Sequence, residues 1–215
     1  MAATDLGVSP AERPIVLGII ADSHVPDRMR ALPPTLWEAL AGVDAILHAG
    51  DLSAPRVLAE LERVAPVYAV KGNRDLFSPL PLDRVLTFGG VRVGLTHGHG
   101  GWRRYAPARL RAMLLGQVSR PPSAARTRQF LQQMRGRFTD VQVIVFGHSH
   151  RPVNQWVDGV LMFNPGSLGP DYRVRPGPAI GRLTLTGGAV QAEIVPVPIP
   201  GAVLKLDQPE GRSIR

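Results

Sequence analysis

The apolar positions of this chain form short runs that end in polar or glycine-containing turns. Residues 15–20, IVLGII, are continuous and β-branched, the pattern of a strand buried on both faces. Residues 33–42, PPTLWEALAG, place Leu36 and Leu40 at helical spacing and end in Gly42, a helix stop. DAILHAGD predicts a second buried strand ending at Asp51, and APRVLAELERV a helix with Val57, Leu58 and Leu61 facing inwards. PVYAVKGNRD predicts a third strand, ending in Gly72-Asn73. Strands around 84–88 and 91–96 are separated by Gly89-Gly90 and read as a hairpin.

Two helices are expected next, near 103–117 and 123–136, broken by Pro121-Pro122. In the first, Trp102, Ala106, Leu110, Met113 and Leu114 share one face, with Arg104 and Arg111 on another. VQVIVF is a strand ending at Gly147-His148, and PVNQWVDGVLMFN a hairpin turning at Asp158-Gly159. AIGRLTL and AVQAEIVPV supply two more strands, joined by Gly187-Gly188. Strand and helix alternate in the first half and strands dominate the second, which predicts an α/β sandwich of two sheets flanked by helices. The 14 residues before the first strand and those from 201 onward are expected to be loose.

Composition narrows the function classes. A chain of 215 residues with 44% hydrophobic and 20% charged residues suits one soluble domain. No apolar run reaches the 18 or so residues that span a bilayer, and the N-terminus has no signal-peptide core. Cysteine is absent, which excludes disulfides, thiolate catalysis and thiolate-ligated zinc and makes the cytoplasm the expected location. The net charge of +8 is concentrated. Residues 101–139 carry nine arginines (103, 104, 109, 111, 120, 126, 128, 135 and 137) and no acid, leaving about −1 for the rest of the chain. That segment is either a solvated helix face or a basic lid. As a lid it would recruit nucleotides or a nucleic-acid backbone, because guanidinium groups suit phosphate.

Histidines carry the chemical signal. Six histidines would by chance give roughly 0.2 pairs two residues apart, yet THGH and GHSH supply two such pairs, His97/His99 and His148/His150. Five polar stretches each follow an expected strand: Asp22-Ser-His24, Gly50-Asp51, Gly72-Asn73, His97-Gly-His99 and Gly147-His148-Ser-His150. Carboxylate, amide and imidazole donors suit divalent ions such as Mn²⁺, Fe²⁺, Ni²⁺, Co²⁺ or Zn²⁺. In extended backbone, residues at i and i+2 project to one side, so Asp22/His24 and His148/His150 can each grip a common site. The plain alternative for the histidines is a pair capping a strand. His48 reads as a packed strand residue, Asp75 as a loop-fixing carboxylate, and Asn164 and Ser167 as loop-shaping residues.

The order DSH, GD, GN, THGH, GHSH, with NPGS at 164–167, resembles the calcineurin-like metallophosphoesterases. It is similar to their small bacterial and archaeal phosphodiesterase branch, which also contains the retromer-type scaffold. The resemblance covers about residues 15–195 and implies a four-layer α/β/β/α sandwich of two mixed sheets. The domain is then expected over 15–200, with 101–139 as an Arg-rich helical insertion or lid. It also implies two divalent ions, manganese first among the candidates, bridged by Asp51. One would take Asp22, His24, Asp51 and His150, the other Asp51, Asn73, His97 and His148. A metal-bridging hydroxide would attack the phosphodiester of a nucleotide-like substrate. The chain departs from the larger relatives at Arg74, where they carry His. An arginine cannot release its proton, so Arg74 is expected on a phosphate oxygen, with His99 the nearest substitute acid. A retained set of seven ligands favours an enzyme over a protein-binding scaffold or a nucleic-acid-binding protein with structural metals. No membrane partner is expected, and a homodimer is the default oligomer.

Overall fold

The computed structural model describes residues 13–101, 105–107, 110–111, 114, 124–171 and 177–199. Most of the expected loose lead, the expected tail from 201 and much of the first Arg-rich helix lie outside the described residues.

The described elements, in chain order, are β1 (Ile15–Ile20), α1 (Thr35–Ala39), β2 (Ala45–His48), α2 (Arg56–Leu61) and β3 (Val67–Ala69). Then follow β4 (Asp83–Phe88), β5 (Val91–Thr96), α3 (Ala124–Arg135), β6 (Val143–Val145), β7 (Val153–Val157), β8 (Val160–Asn164), β9 (Ala179–Thr186) and β10 (Ala189–Pro196). They build two five-stranded mixed sheets, ordered β10-β9-β1-β2-β3 and β4-β5-β6-β8-β7. The first pairs β1, β2 and β3 in parallel, with β9 antiparallel to β1. The second pairs β5, β6 and β8 in parallel.

Alternation within each apolar run decides the layers. Leu17 and Ile19 of β1 join Leu47, Val93, Leu95, Val143, Val145 and Phe163 in the core between the sheets. The intervening Ile20 joins Leu36, Leu40, Ile46, Val57 and Leu61 under α1 and α2. On the other side, Ile144, Phe146 and Met162 pack against Leu131 and Met134 of α3. Each fully buried Leu, Ile or Phe contributes about 1.5–3 kcal/mol, so a strand sandwiched on both faces is apolar throughout. The result is the four-layer α/β/β/α sandwich, and α3 occupies the second expected helix of the Arg-rich segment. In the first, Tyr105, Leu110, Arg111 and Leu114 are helical. Its apolar side does not lie on the core there, since Leu110 is 58% exposed and Leu114 79%.

The parallel strands give the sandwich a polarity. The ends of β1, β2, β3, β5 and β6 converge at one pole, where the polar stretches leave the sheets. The hairpin turns at Gly89-Gly90, Asp158-Gly159 and Gly187-Gly188 join strands at the starts of β5, β8 and β1, the opposite pole.

Candidate metal centre

Strand ends stop short of the polar residues. β2 ends at His48, three residues before Asp51, and β3 ends at Ala69. The chain then leaves the pleat: Asp22, His24, Asp51, His148 and His150 have φ of 54°, 50°, 57°, 68° and 56°. Non-glycine residues rarely occupy this left-handed region, which costs about 1–3 kcal/mol each. Asp22 and His24 meet at a common site as expected, but the backbone that brings them there is left-handed and not extended. Left-handed turns aim them, and His148 and His150 face different pockets.

Backbone hydrogen bonds hold these turns together. Asp22 and His24 donate N–H groups to the carbonyls of Gly50 and Asp51, each at 3.0 Å. Gly147 donates to His97 O at 3.3 Å, and His148 donates to Asp22 Oδ2 at 2.9 Å, tying the first sheet to the second. Glycine is required for two reasons. Gly50 has φ +90°, whereas at Gly147 an added Cβ would sit 2.8 Å from Asp22 Oδ2. Gly147 therefore serves close approach, not a sharp turn.

Two clusters of ligand atoms result, with Asp22, His24, Asp51 and His97 buried and Asn73, His148 and His150 half-buried. In the first, His150 Nε2 lies 3.3 Å from Asp22 Oδ1 and 3.3 Å from His24 Nε2. His24 Nε2 is 3.7 Å from Asp22 Oδ1 and 3.8 Å from Asp51 Oδ2. In the second, His97 Nε2 is 3.4 Å from Asp51 Oδ1 and 3.1 Å from Asn73 Oδ1, and His148 Nδ1 is 2.8 Å from the same amide oxygen. Asp51 thus presents one carboxylate oxygen to each cluster. Asp22, His24 and His150 form one group able to hold a metal ion, and Asp22, Asp51 and His97 another.

A family model for the calcineurin-like phosphoesterase superfamily domain matches residues 15–187. The chain belongs to the calcineurin-like phosphoesterase superfamily. It is 31% identical over 185 residues to a probable metallophosphoesterase of Methanothermobacter thermautotrophicus, covering 84% of this chain and 92% of that protein. Its fold matches vacuolar protein sorting 29 of Cryptosporidium parvum with a TM-score of 0.58 at 20% identity, covering 84% of this chain and 96% of that one. The zinc complex of vacuolar protein sorting 29 from Entamoeba histolytica matches with a TM-score of 0.54 at 23% identity, covering 84% and 98%.

The donors of this phosphoesterase domain fit the divalent ions that the family binds. Ions held at about 2.0–2.2 Å by N and O ligands separate those ligands by roughly 3–3.6 Å, close to the spacings of the first cluster. Asp22 Oδ1 is fully buried without a well-formed hydrogen bond, as is His24 Nδ1, and a buried carboxylate oxygen left so is costly. His97 donates Nδ1–H to Ala49 O at 2.7 Å, leaving its Nε2 lone pair for the site.

Electrostatics favour the ligating forms of Asp22, His24 and His148. At His150 burial works against the proton, but the bonds to Asp22 and Asp171 raise the ring's pKa. Burial alone would raise the Asp22 carboxyl, but His150, His97 and His24 around it hold it down at about 2. Burial pushes His24 down to about 4 and His148 to about 3, keeping both imidazoles neutral. Asp51 is pushed up to about 6 by burial and by Asp22, against the pull of His97.

The remaining residues separate clearly. The backbone N–H of Arg74 donates to Asp51 Oδ1 at 2.8 Å, and its exposed guanidinium is close enough to His24 to oppose that ring's protonation. His99 packs edge-on against His97, with centroids 5.3 Å apart. Burial pushes it down to about 4, which favours the neutral imidazole. His48 is buried and hydrogen-bonded: Gly50 donates to its Nδ1 at 3.2 Å and its Nε2 meets Ser23 Oγ at 3.1 Å. Asn164 donates to Gly147 O at 2.9 Å, and Ser167 Oγ lies 3.0 Å from Asp22 O; both shape the loops. Three neighbours escaped the sequence reading: Tyr105, whose ring is 5.4 Å from that of His148, and Arg28 and Asp171 beside His150. Arg28 and Asp171 belong to no spacing pattern, and Tyr105 lies within the Arg-rich segment without a motif of its own.

Proposed function

We propose that the chain is a dinuclear metal-dependent phosphodiesterase acting on a nucleotide-like phosphodiester. The observation that carries this is Asp51, whose Oδ2 faces His24 while Oδ1 faces His97, the arrangement a bridging ligand needs. Asp22, His24, Asp51 and His150 would hold one ion, and Asp51, Asn73, His97 and His148 the other. Manganese heads the candidates for this mixed N/O set. Bound ions supply water activation and neutralise charge on the phosphoryl oxygens.

The protein's own part is positional. Asp51 is oriented by the Arg74 backbone, and the Arg74 side chain stands at the rim to take a phosphate oxygen in bidentate fashion. Arg74 cannot protonate a leaving group, and burial disfavours a proton on His99. Esters whose leaving group departs without protonation are the preferred substrates on that ground.

The test is hydrolysis of bis(p-nitrophenyl) phosphate by metal-stripped protein, with Mn²⁺, Ni²⁺, Co²⁺, Zn²⁺ or Mg²⁺ restored in turn. Turnover with at least one ion, falling roughly 100-fold or more in Asp51→Asn, is the expected result. No turnover with any ion would discard the enzyme reading. The second reading, a protein-binding scaffold, then takes over. It is favoured by the likeness to vacuolar protein sorting 29 and by Phe77, 99% exposed beside Leu76 at 52%, four residues beyond Asn73.

A further inference from the structure

We infer that Asp171, held by Arg28, is a positioning residue that fixes the tautomer of His150 and so aims its Nε2 lone pair into the first cluster. The inference rests on the metal-binding reading above and adds a carboxylate that neither spacing nor motif marks.

Two polar groups meet at the outer nitrogen of His150. Asp171 Oδ2 lies 2.7 Å from Nδ1, while Arg28 Nη1 lies 3.2 Å from the same atom. Nδ1 cannot serve both. A guanidinium only donates, so bonding to Arg28 would require an Nδ1 lone pair, and that lone pair would then face a carboxylate oxygen at 2.7 Å. The shorter contact decides, and the proton sits on Nδ1 and is donated to Asp171. Arg28 Nη1 is then satisfied by Asp171 Oδ2 at 3.1 Å and Pro170 O at 3.4 Å. Asp171 is nearly buried, with 6% side-chain exposure, and a buried carboxylate needs such cationic company.

The consequence lies at the other end of the ring. With Nδ1 protonated, Nε2 carries a lone pair directed at the space shared by Asp22 Oδ1 and His24 Nε2, both 3.3 Å away. His97 reaches the same tautomer through the neutral carbonyl of Ala49. A carboxylate partner makes an imidazole a stronger donor than a carbonyl does, so the two clusters have unlike outer supports.

The test uses the full chain, metal-free, as parent, Asp171→Ala and Asp171→Asn. Two quantities are read: the Mn²⁺ dissociation constant by calorimetry, and the His150 tautomer from ring ¹⁵N shifts at alkaline pH, where all imidazoles are neutral. The expected result is Nδ1–H in the parent, a shift towards Nε2–H in Asp171→Ala, and Mn²⁺ binding weakened about 10–100-fold. Asp171→Asn, which offers a neutral and weaker acceptor oxygen, should keep the tautomer and lose less affinity than Asp171→Ala but more than about twofold. Should the alanine variant not fold, an Asn variant that matches the parent within about twofold overturns the inference by itself. A parent that binds Mn²⁺ while both variants match it within twofold overturns this inference alone. A parent that binds no Mn²⁺ overturns the metal reading and this inference with it. An Nε2–H tautomer in the parent also overturns it.

Discussion

Asp75 accepts the backbone N–H of Asp51 at 2.8 Å, so one buried carboxylate holds another in place. Its oxygens also take N–H groups from Leu52 at 3.3 Å, Ser53 at 2.9 Å and Gly72 at 2.8 Å. Asp75 thereby ties the turn after β2 to the turn after β3, which is the loop-fixing role expected of it. Asp75→Ala would leave these donors unsatisfied at a cost of about 3 kcal/mol or more. In a protein of this length that lowers Tm by roughly 6–12 °C, measurable by calorimetry on the metal-free protein. A drop under ~2 °C would show that water replaces Asp75 at little cost.

Gly147→Ala should damage the centre more than the fold. The new Cβ would stand 2.8 Å from Asp22 Oδ2 and 3.1 Å from Ala21 Cβ, so the Asp22 carboxylate must move. Overpacking of this kind costs about 1–3 kcal/mol. The expected outcome is a folded protein by circular dichroism whose Mn²⁺ affinity has fallen at least tenfold.

Metal stoichiometry separates the two clusters. Calorimetric titration of the parent with Mn²⁺ should give two equivalents. His24→Ala and His97→Ala should each leave one, because their rings face different oxygens of Asp51. Asp51→Asn should weaken both. Saturating metal at about 1,000 times the dissociation constant should stabilise the parent by about 4 kcal/mol, and one equivalent in the parent would contradict the dinuclear reading.

His48 predicts a component of acid instability. Burial holds its imidazole at about 4, below its ordinary value near 6.5. The unfolded chain therefore binds the proton first as pH falls. The stability it contributes is complete above pH ~6.5 and is lost progressively towards pH ~4, on the order of 3 kcal/mol. In His48→Gln the amide can still accept from Gly50 and donate to Ser23 without titrating. Urea melts of the metal-free variant should show a flatter pH profile over that window than the parent, and parallel profiles would exclude His48 as a source.

Element types were legible because the runs are strongly patterned: IVLGII and VQVIVF are buried from both sides, and the hairpins announce themselves with Gly89-Gly90, Asp158-Gly159 and Gly187-Gly188. Strand ends were less so. Periodicity carried β2 to Asp51, yet the pleat ends at His48, because the residues beyond it adopt left-handed φ that an apolar pattern does not encode. The residues of the centre were visible as chemistry, since histidines and aspartates at strand ends stand out from their apolar neighbours. Asp171 was not, because its partner His150 is 21 residues away and only the loop between them brings the two together.

The polarity of the sandwich has a practical side. At the hairpin pole, a Cβ added to Gly90, Gly159, Gly187 or Gly188 would meet nothing within 4 Å. The intervening strands of five to eight residues place these tips about 15–25 Å from the polar turns. A fluorophore, an epitope or a whole reporter domain grafted there would ride on the scaffold without touching its chemistry, giving an attachment point from which the working pole can be observed undisturbed.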